Sequence, residues 1–328
     1  MDHVRWTNEP RLRAPVLICA FAGWNDAAEA STLALRHLAE SWGARPFASI
    51  DAEEFFDFSE VRPQVRLSGG ITREVLWPHT EILAAPVPGS ANDAVMIVGI
   101  EPQLRWRTYT EQVVAIAERL GIELVVTLGA LLADVPHTRE VAIIGTAADP
   151  DLIDRFGLQR SRYEGPTGII GVLHDACTRA GLRTVSLWAA VPGYAQQHAS
   201  PKAALALVDR AASILSVSVP TAGLRDAAVG YEREVSDAVA ADDDLAAYVA
   251  GLEELADSSD EFEIDDDDDD DDDGTDEEPW GAGAERASSG SAAHPANGDA
   301  VPAELSPEAG DELVAEVEQF LRDQRQGE

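Results

Sequence analysis

Val16 to Ala22 is an unbroken apolar run that stops at the turn-forming Gly23-Trp24-Asn25-Asp26, the pattern of a strand covered on both faces. Leu33, Leu35, Leu38 and Trp42 then recur at helical spacing, with Asn25 or Asp26 available as cap and Gly43 as terminator. Phe47–Asp51 reads as a second strand. Gln64–Leu67 and Ile71–Trp77 alternate around Ser68-Gly69-Gly70 and predict a β-hairpin closed by Pro78, an antiparallel extension on one edge of the sheet. Ala94–Ile100, Glu123–Leu128, Val141–Ala147 and Val185–Val191 are further strands. Tyr109–Leu120, Ile169–Arg179 and Pro201–Leu215 are helices, Gly129 to Arg139 is a loop, and 221–255 holds one or two closing helices. Strands alternating with helices predict a three-layer α/β/α sandwich around a mostly parallel central sheet, occupying residues 1–256.

From Asp257 the pattern changes. Asp265 to Asp273 are consecutive aspartates, and a Gly/Ala/Ser/Pro-rich stretch follows to Pro307. Such a segment has too little apolar surface to offset its chain entropy, so 257–307 is expected to be a disordered acidic linker. Leu313, Val314, Val317, Phe320 and Leu321 then fall on one helical stripe, which predicts an amphipathic helix over 308–325 able to dock on the domain or on another protein.

Charge narrows the function classes. The 328 residues carry 60 Asp+Glu against 24 Lys+Arg, a formal net charge of −36. Residues 1–256 contribute −13 and 257–328 contribute −23. Neither part can neutralise a row of phosphates or hold an anionic membrane surface, so no nucleic-acid or membrane partner is expected. Two cysteines, Cys19 and Cys177, exclude a disulfide framework. Arg5, Arg11 and Arg13 precede the first apolar run as they would in an export signal, but Asp2 and Glu9 spoil the leader and the run continues into a helix. A cytoplasmic protein is expected.

In open α/β sheets ligands bind beyond the carboxyl ends of the strands, so the loops there are the candidate rim. They carry Trp24, Asn25 and Asp26; Glu101, Arg105, Trp106 and Arg107; Pro136, His137, Thr138 and Arg139; and Tyr194. A small-molecule reading makes Arg107 or Arg139 an anion clamp and His137 an acid or base. The alternative makes Asp26 a helix cap, pairs Glu101 with an arginine and buries the tryptophans in the core. Gly165 and Gly168 lie in Gly165-Pro166-Thr167-Gly168 before a helix, but the stretch lacks the Lys-Ser/Thr of a phosphate-binding loop and the G-x-G-x-x-G spacing of a dinucleotide turn. No nucleophile elbow and no paired Cys/His spacing is present, so no catalytic residue, cofactor or metal is assigned.

Several of these segments resemble the proteasome-assembly-chaperone family in its actinobacterial branch. They are Phe21-Ala22-Gly23-Trp24-Asn25-Asp26-Ala27; Arg62-Pro63 with Thr72-Arg73-Glu74 and Trp77-Pro78; Glu101-Pro102 with Arg105-Trp106-Arg107; Leu128 through Arg139; Tyr163-Glu164-Gly165-Pro166-Thr167-Gly168-Ile169; and Ser186 through Pro192. The resemblance runs in order from Arg11 to Leu255, and Gly310-Asp311-Glu312-Leu313 resembles an ending of that branch. Many members carry a histidine where Gly193 stands. The resemblance implies a sandwich similar to nucleoside phosphorylases, no established catalysis, self-association as a homotrimer, and a proteasome-related protein partner. Relatives that bind proteasome α-subunits dock through a C-terminal hydrophobic-tyrosine-any tripeptide, which Gln326-Gly327-Glu328 does not match. The expected function is a non-catalytic, chaperone-like or assembly-factor module, with Leu313, Val317, Phe320 and Leu321 as tail contacts. The alternative is a phosphorylase- or hydrolase-like enzyme, or a sensor, that binds a small anionic ligand.

Overall fold

A computed structural model describes residues 2–68 and 72–260; the linker and tail helix expected beyond Asp260 lie outside the described residues. The strands are β1 (Val4–Trp6), β2 (Val16–Ala22), β3 (Arg45–Ile50), β4 (Gln64–Ser68), β5 (Thr72–Leu76), β6 (Thr80–Pro86), β7 (Asp93–Ile100), β8 (Leu124–Ala133), β9 (Ile143–Ala147) and β10 (Arg183–Pro192). The α-helices are α1 (Ala30–Ser41), α2 (Trp106–Leu120), α3 (Pro150–Phe156), α4 (Ile169–Arg179), α5 (Pro201–Leu215), α6 (Ala222–Ala240) and α7 (Asp243–Asp260).

Eight strands form one sheet in the order β1-β3-β6-β7-β2-β8-β10-β9. The four inner strands β7, β2, β8 and β10 run parallel, and antiparallel strands extend the sheet on both sides. β2 lies at the centre, and its period-2 alternation divides the interior. Val16, Ile18 and Ala20 join a core with Leu35 and Leu38 of α1 and Leu207 and Val208 of α5. Leu17, Cys19 and Phe21 join a second core with Tyr109 and Val113 of α2 and Ile169 and Leu173 of α4. The sheet is therefore sandwiched between helices, as the alternating pattern predicts. α6 packs on α5, and α7 folds back on α6.

Two expectations need correction. The hairpin β4–β5 forms in register, Val65 opposite Val75, but it is a separate two-stranded sheet; the antiparallel extension on its side comes from β6, β3 and β1. The loop expected from Gly129 begins only after Ala133, because β8 runs on in parallel with β10 to the pair Ala133–Pro192. Gly129 is a strand residue whose missing side chain makes room for the Trp188 ring. A Cβ there would lie 2.5 Å from the indole, the close approach for which a strand interior uses glycine.

The sheet also parts. β2 follows β7 as far as Ala22–Ile100 but pairs with β8 only to Cys19–Thr127. Beyond that pair β8 stays with β10, and the carboxyl ends of the strands open a wedge between β2 and β8.

Gly129→Ala is expected to cost about 1–3 kcal/mol by overpacking the Trp188 ring. Gly230→Ala, in mid-α6 with nothing within 4 Å of its added Cβ, is expected to stabilise by about 0.5–1 kcal/mol. Urea unfolding of the two variants checks the opposite signs.

Candidate functional site

The wedge between β2 and β8 is filled by the chain itself. Gly23, at φ +133°, turns the chain so that Asn25 and Asp26 fold back into the gap. The Asn25 carbonyl accepts a hydrogen bond from the Ala130 N–H at 2.8 Å, and both side chains are buried. Asp26 serves the start of α1. One carboxylate oxygen accepts from the Ser31 N–H (2.7 Å), the Ser31 hydroxyl (2.6 Å) and the Thr32 N–H (3.1 Å), and the other accepts from the Thr32 hydroxyl. This is the capping role the sequence allows, reached across a left-handed turn at Ala28 and Glu29. Asn25 does something else.

The Asn25 side-chain amide donates to Glu101 Oε1 at 2.8 Å, and the same oxygen accepts from the Ile169 N–H at 2.7 Å. The Trp24 N–H also hydrogen-bonds this carboxylate. Ile169 is the first residue of α4, so Glu101 places its negative charge on the amides of a helix N-terminus, where the dipole favours it. Gly168 permits the approach: a Cβ there would lie 2.2 Å from Asn25 Nδ2 and 2.7 Å from Glu101 Oε1. The Gly-rich stretch thus leads into an anion site that the chain's own carboxylate occupies. Burial raises the Glu101 carboxyl above its ordinary 4.5, against the lowering effect of these hydrogen bonds. Among the described residues Glu101 pairs with no arginine. Arg105, at φ +54°, pairs with Glu54, and Arg107 is exposed on the first turn of α2. The Trp106 indole donates to the Pro102 carbonyl. Trp24 is half-buried, and Gly165 is exposed in the loop before α4.

His137, Thr138, Arg139 and Tyr194 form a second network, gripped by α5, α6 and α7. The Tyr194 hydroxyl accepts the His137 backbone N–H at 2.8 Å and lies 2.9 Å from His137 Nδ1, to which it is left to donate. Ser236 donates its hydroxyl proton to the Glu232 carbonyl at 2.8 Å, so its oxygen accepts from His137 Nε2–H at 2.9 Å. Both ring nitrogens are thereby used, in the neutral Nε2–H tautomer. Burial, followed by the Lys202 charge, depresses the His137 pKa, with Glu232 and Glu253 acting the other way. Burial also pushes the Tyr194 hydroxyl up to about 12.

Lys202, the chain's one lysine, donates to the His137 carbonyl (2.5 Å) and to Glu232 (2.7 Å). Thr138 donates to Glu253, and Arg139 grips Asp257 through two bonds of 2.6 and 2.7 Å. The Tyr248 hydroxyl donates to Asp134 at 2.7 Å. The space beside Pro136 and His137 is about 10 Å³, room for no more than a water.

All the candidate loops therefore reach one edge of the sheet, in two networks: Asn25–Glu101–α4 and His137–Tyr194–α6/α7. Lys202, Glu232, Ser236, Glu253 and Asp257 lie some 60–120 residues from His137 on helices whose polar faces carry no motif, so no local signal in the sequence points to them. Among the described residues no group of three or more His, Cys, Asp or Glu could hold a metal, and no helix is long and apolar enough to cross a membrane.

The model of the PAC2 family matches residues 20–239, which include every one of these loops. The chain belongs to the PAC2 family. It is similar to a proteasome-assembly chaperone homologue from Mycobacterium tuberculosis, with 46% identity over 71% of this chain and 99% of that one and a TM-score of 0.66. It is also similar to a PAC2 family protein from Streptomyces avermitilis, with 45% identity over 72% and 99% and a TM-score of 0.67. The archaeal proteasome activator PbaB of Pyrococcus furiosus shares the fold at 18% identity over 72% and 97%, with a TM-score of 0.58. No curated protein sequence matches. The PAC2 match ends within α6, so the Thr138–Glu253 and Arg139–Asp257 contacts lie partly beyond it.

Two measurements test these networks. Glu101→Ala strands the Ile169 N–H and the Asn25 amide and is expected to cost about 1–3 kcal/mol, whereas Glu101→Gln keeps an acceptor oxygen and most of the stability; chemical denaturation separates them. For His137, folding lowers the pKa below 6.5, so the unfolded chain binds the proton more readily than the folded one. The stability it contributes is complete above 6.5 and is lost as pH falls through the folded value. Between about pH 7.5 and 5.5, the wild type should lose more stability than His137→Gln. His174, also depressed by burial, titrates in both proteins and cancels in the difference.

Proposed function

We propose that this PAC2 protein is a chaperone-like assembly factor that acts by binding other proteins, with proteasome components as the first candidates. The observation that carries this reading is that three rim groups suited to catalysis or anion capture, Glu101, His137 and Arg139, are engaged by the chain, while Arg107 stands apart from both networks on the exposed first turn of α2. Glu101 occupies the α4 N-terminus, both His137 nitrogens are bonded, and Arg139 is clamped on Asp257. The similarity to a proteasome-assembly chaperone homologue, at 46% identity, supports the choice of partner. Residues 1–256 act as the binding domain, 257–307 as an acidic linker and 308–325 as an accessory helix; the protein self-associates, with a trimer as the assembly to test, and works in the cytoplasm without catalytic groups of its own. Nothing in either network favours the small-anion reading.

The test mixes the purified chain with proteasome α- and β-subunits of the same organism and follows ring assembly by size-exclusion chromatography with light scattering. Association with free subunits or assembly intermediates and a changed yield of rings is the expected result. A parallel thermal-shift screen of nucleosides, phosphates and sugar phosphates should give no hit. A ligand at about 100 times its Kd would add about 2.7 kcal/mol, and such a hit without subunit association would replace this reading with the sensor or enzyme.

A further inference from the structure

We propose that the exposed face of the β4–β5 hairpin is a docking site for the chain's own C-terminal segment, residues 308–325. The inference stands apart from the assembly-factor reading, and none of the rim residues lies on the proposed docking face.

Among the described residues the hairpin's two strands pair with each other and with no other strand. Its alternation separates two faces. Val65, Leu67 and Val75, continued by Trp77, fall on one and are 52%, 58%, 49% and 53% exposed. The reverse face carries the Arg66–Glu74 ion pair at 2.9 Å. A lone two-stranded ribbon is marginally stable in water, and clustered exposed apolar side chains mark an interaction site. The charge identifies the occupant. Residues 61–79 hold three arginines against one glutamate, a local +2 within a chain of −36. Arg73 stands opposite Leu67, on the apolar face.

The face therefore suits a segment that is apolar along one stripe and acidic elsewhere. Residues 308–325 have that composition: six acids against two arginines, with Leu313, Val314, Val317, Phe320 and Leu321 on one helical stripe. A second copy of the hairpin would instead set arginine against arginine.

The tether allows it. Asp257 of α7 is held by Arg139 in the loop after β8, and Trp77 lines a cleft of about 670 Å³ with Ile100 at the end of β7. β7 and β8 lie two strand spacings apart in the sheet, roughly 10 Å. The 52 residues from 261 to 312, with their linker-like composition, reach on the order of 40 Å. Tethering supplies an effective concentration on the order of 1 mM, so a contact with a Kd of about 0.1 mM would be about nine-tenths occupied within one molecule.

The test places spin labels on the full chain at Gln64→Cys, on the reverse face of the hairpin, and at Gln319→Cys, off the apolar stripe; the native Cys19 and Cys177 are buried and stay unlabelled. Pulsed dipolar spectroscopy of doubly labelled protein diluted in unlabelled protein should show a dominant narrow distance well inside the ~40 Å reach of a free tether. Phe320→Ser with Leu321→Ser, on the apolar stripe of the proposed occupant, should abolish that component, and about 1 M salt should weaken it. A broad distribution unchanged by the double substitution overturns the proposal. So do short distances that arise only when singly labelled chains are mixed, since those would assign the face to a second copy.

Discussion

The parting of β2 from β8 after Cys19 and Thr127 is the constraint around which this edge of the molecule is built. A wedge at the carboxyl ends of parallel strands is where α/β sheets hold their ligands. Here it holds Asn25 and Asp26. Two carboxylates come with them, Asp26 at the start of α1 and Glu101 at the start of α4. Among the described residues neither has a cation as a hydrogen-bond partner; helix N-terminal amides, hydroxyls and the Asn25 amide satisfy them. Taking a carboxylate out of water is costly unless hydrogen bonds replace the lost hydration, and here the free N–H groups of helix first turns do so. The same two side chains tie α1 and α4, on opposite faces of the sheet, to the loops after β2 and β7. A fold that elsewhere in α/β proteins presents amides to a ligand spends them on its own stability.

The second network closes the neighbouring loops differently. His137 is a bridge: its backbone N–H and Nδ1 share Tyr194, and its Nε2 reaches Ser236 on α6. Lys202 holds the His137 carbonyl and Glu232 at once. Much of this attachment is polar and partly exposed, where single ion pairs contribute little. The buried part, Tyr231, Val235 and Val239 of α6 with Val249 of α7 and Ala195, provides the apolar area that holds the two helices in place.

The inner strands and most of the helices were legible in the sequence because their apolar periods are long and unbroken; α4 and α5 have the expected ends. β1 and α3 are short, three and seven residues, and their patterns are too brief to stand out. β6 hides between Pro78 and Pro86, where proline reads as loop. Gly129 misled for an instructive reason: glycine signals a break when it serves backbone freedom, but here it serves the bulk of Trp188 on the next strand, a tertiary fact that no local window contains. Topology alone directs attention to the loops at the carboxyl ends of the strands. Their chemistry was not legible, because a histidine, a glutamate and an arginine in post-strand loops look the same whether they face a substrate or face Ser236, Ile169 and Asp257.

A sheet edge filled in this way has consequences for how the protein can recognise anything. Specificity in a pocket comes from polar groups left unpaired until the ligand arrives; where those groups are already paired, each must be broken before it can be used, at the cost of stranding its present partner. Recognition is then cheaper on surfaces that folding has left unfinished. On this chain the apolar face of the β4–β5 ribbon is such a surface, because its exposed valines, leucine and tryptophan lose nothing by being covered and Arg73 beside them stands in a field of excess negative charge. Selectivity on such a face rests on the sign and spacing of charges around an apolar stripe, a requirement that segments of many sequences can meet and that long-range electrostatics can tune without altering the fold.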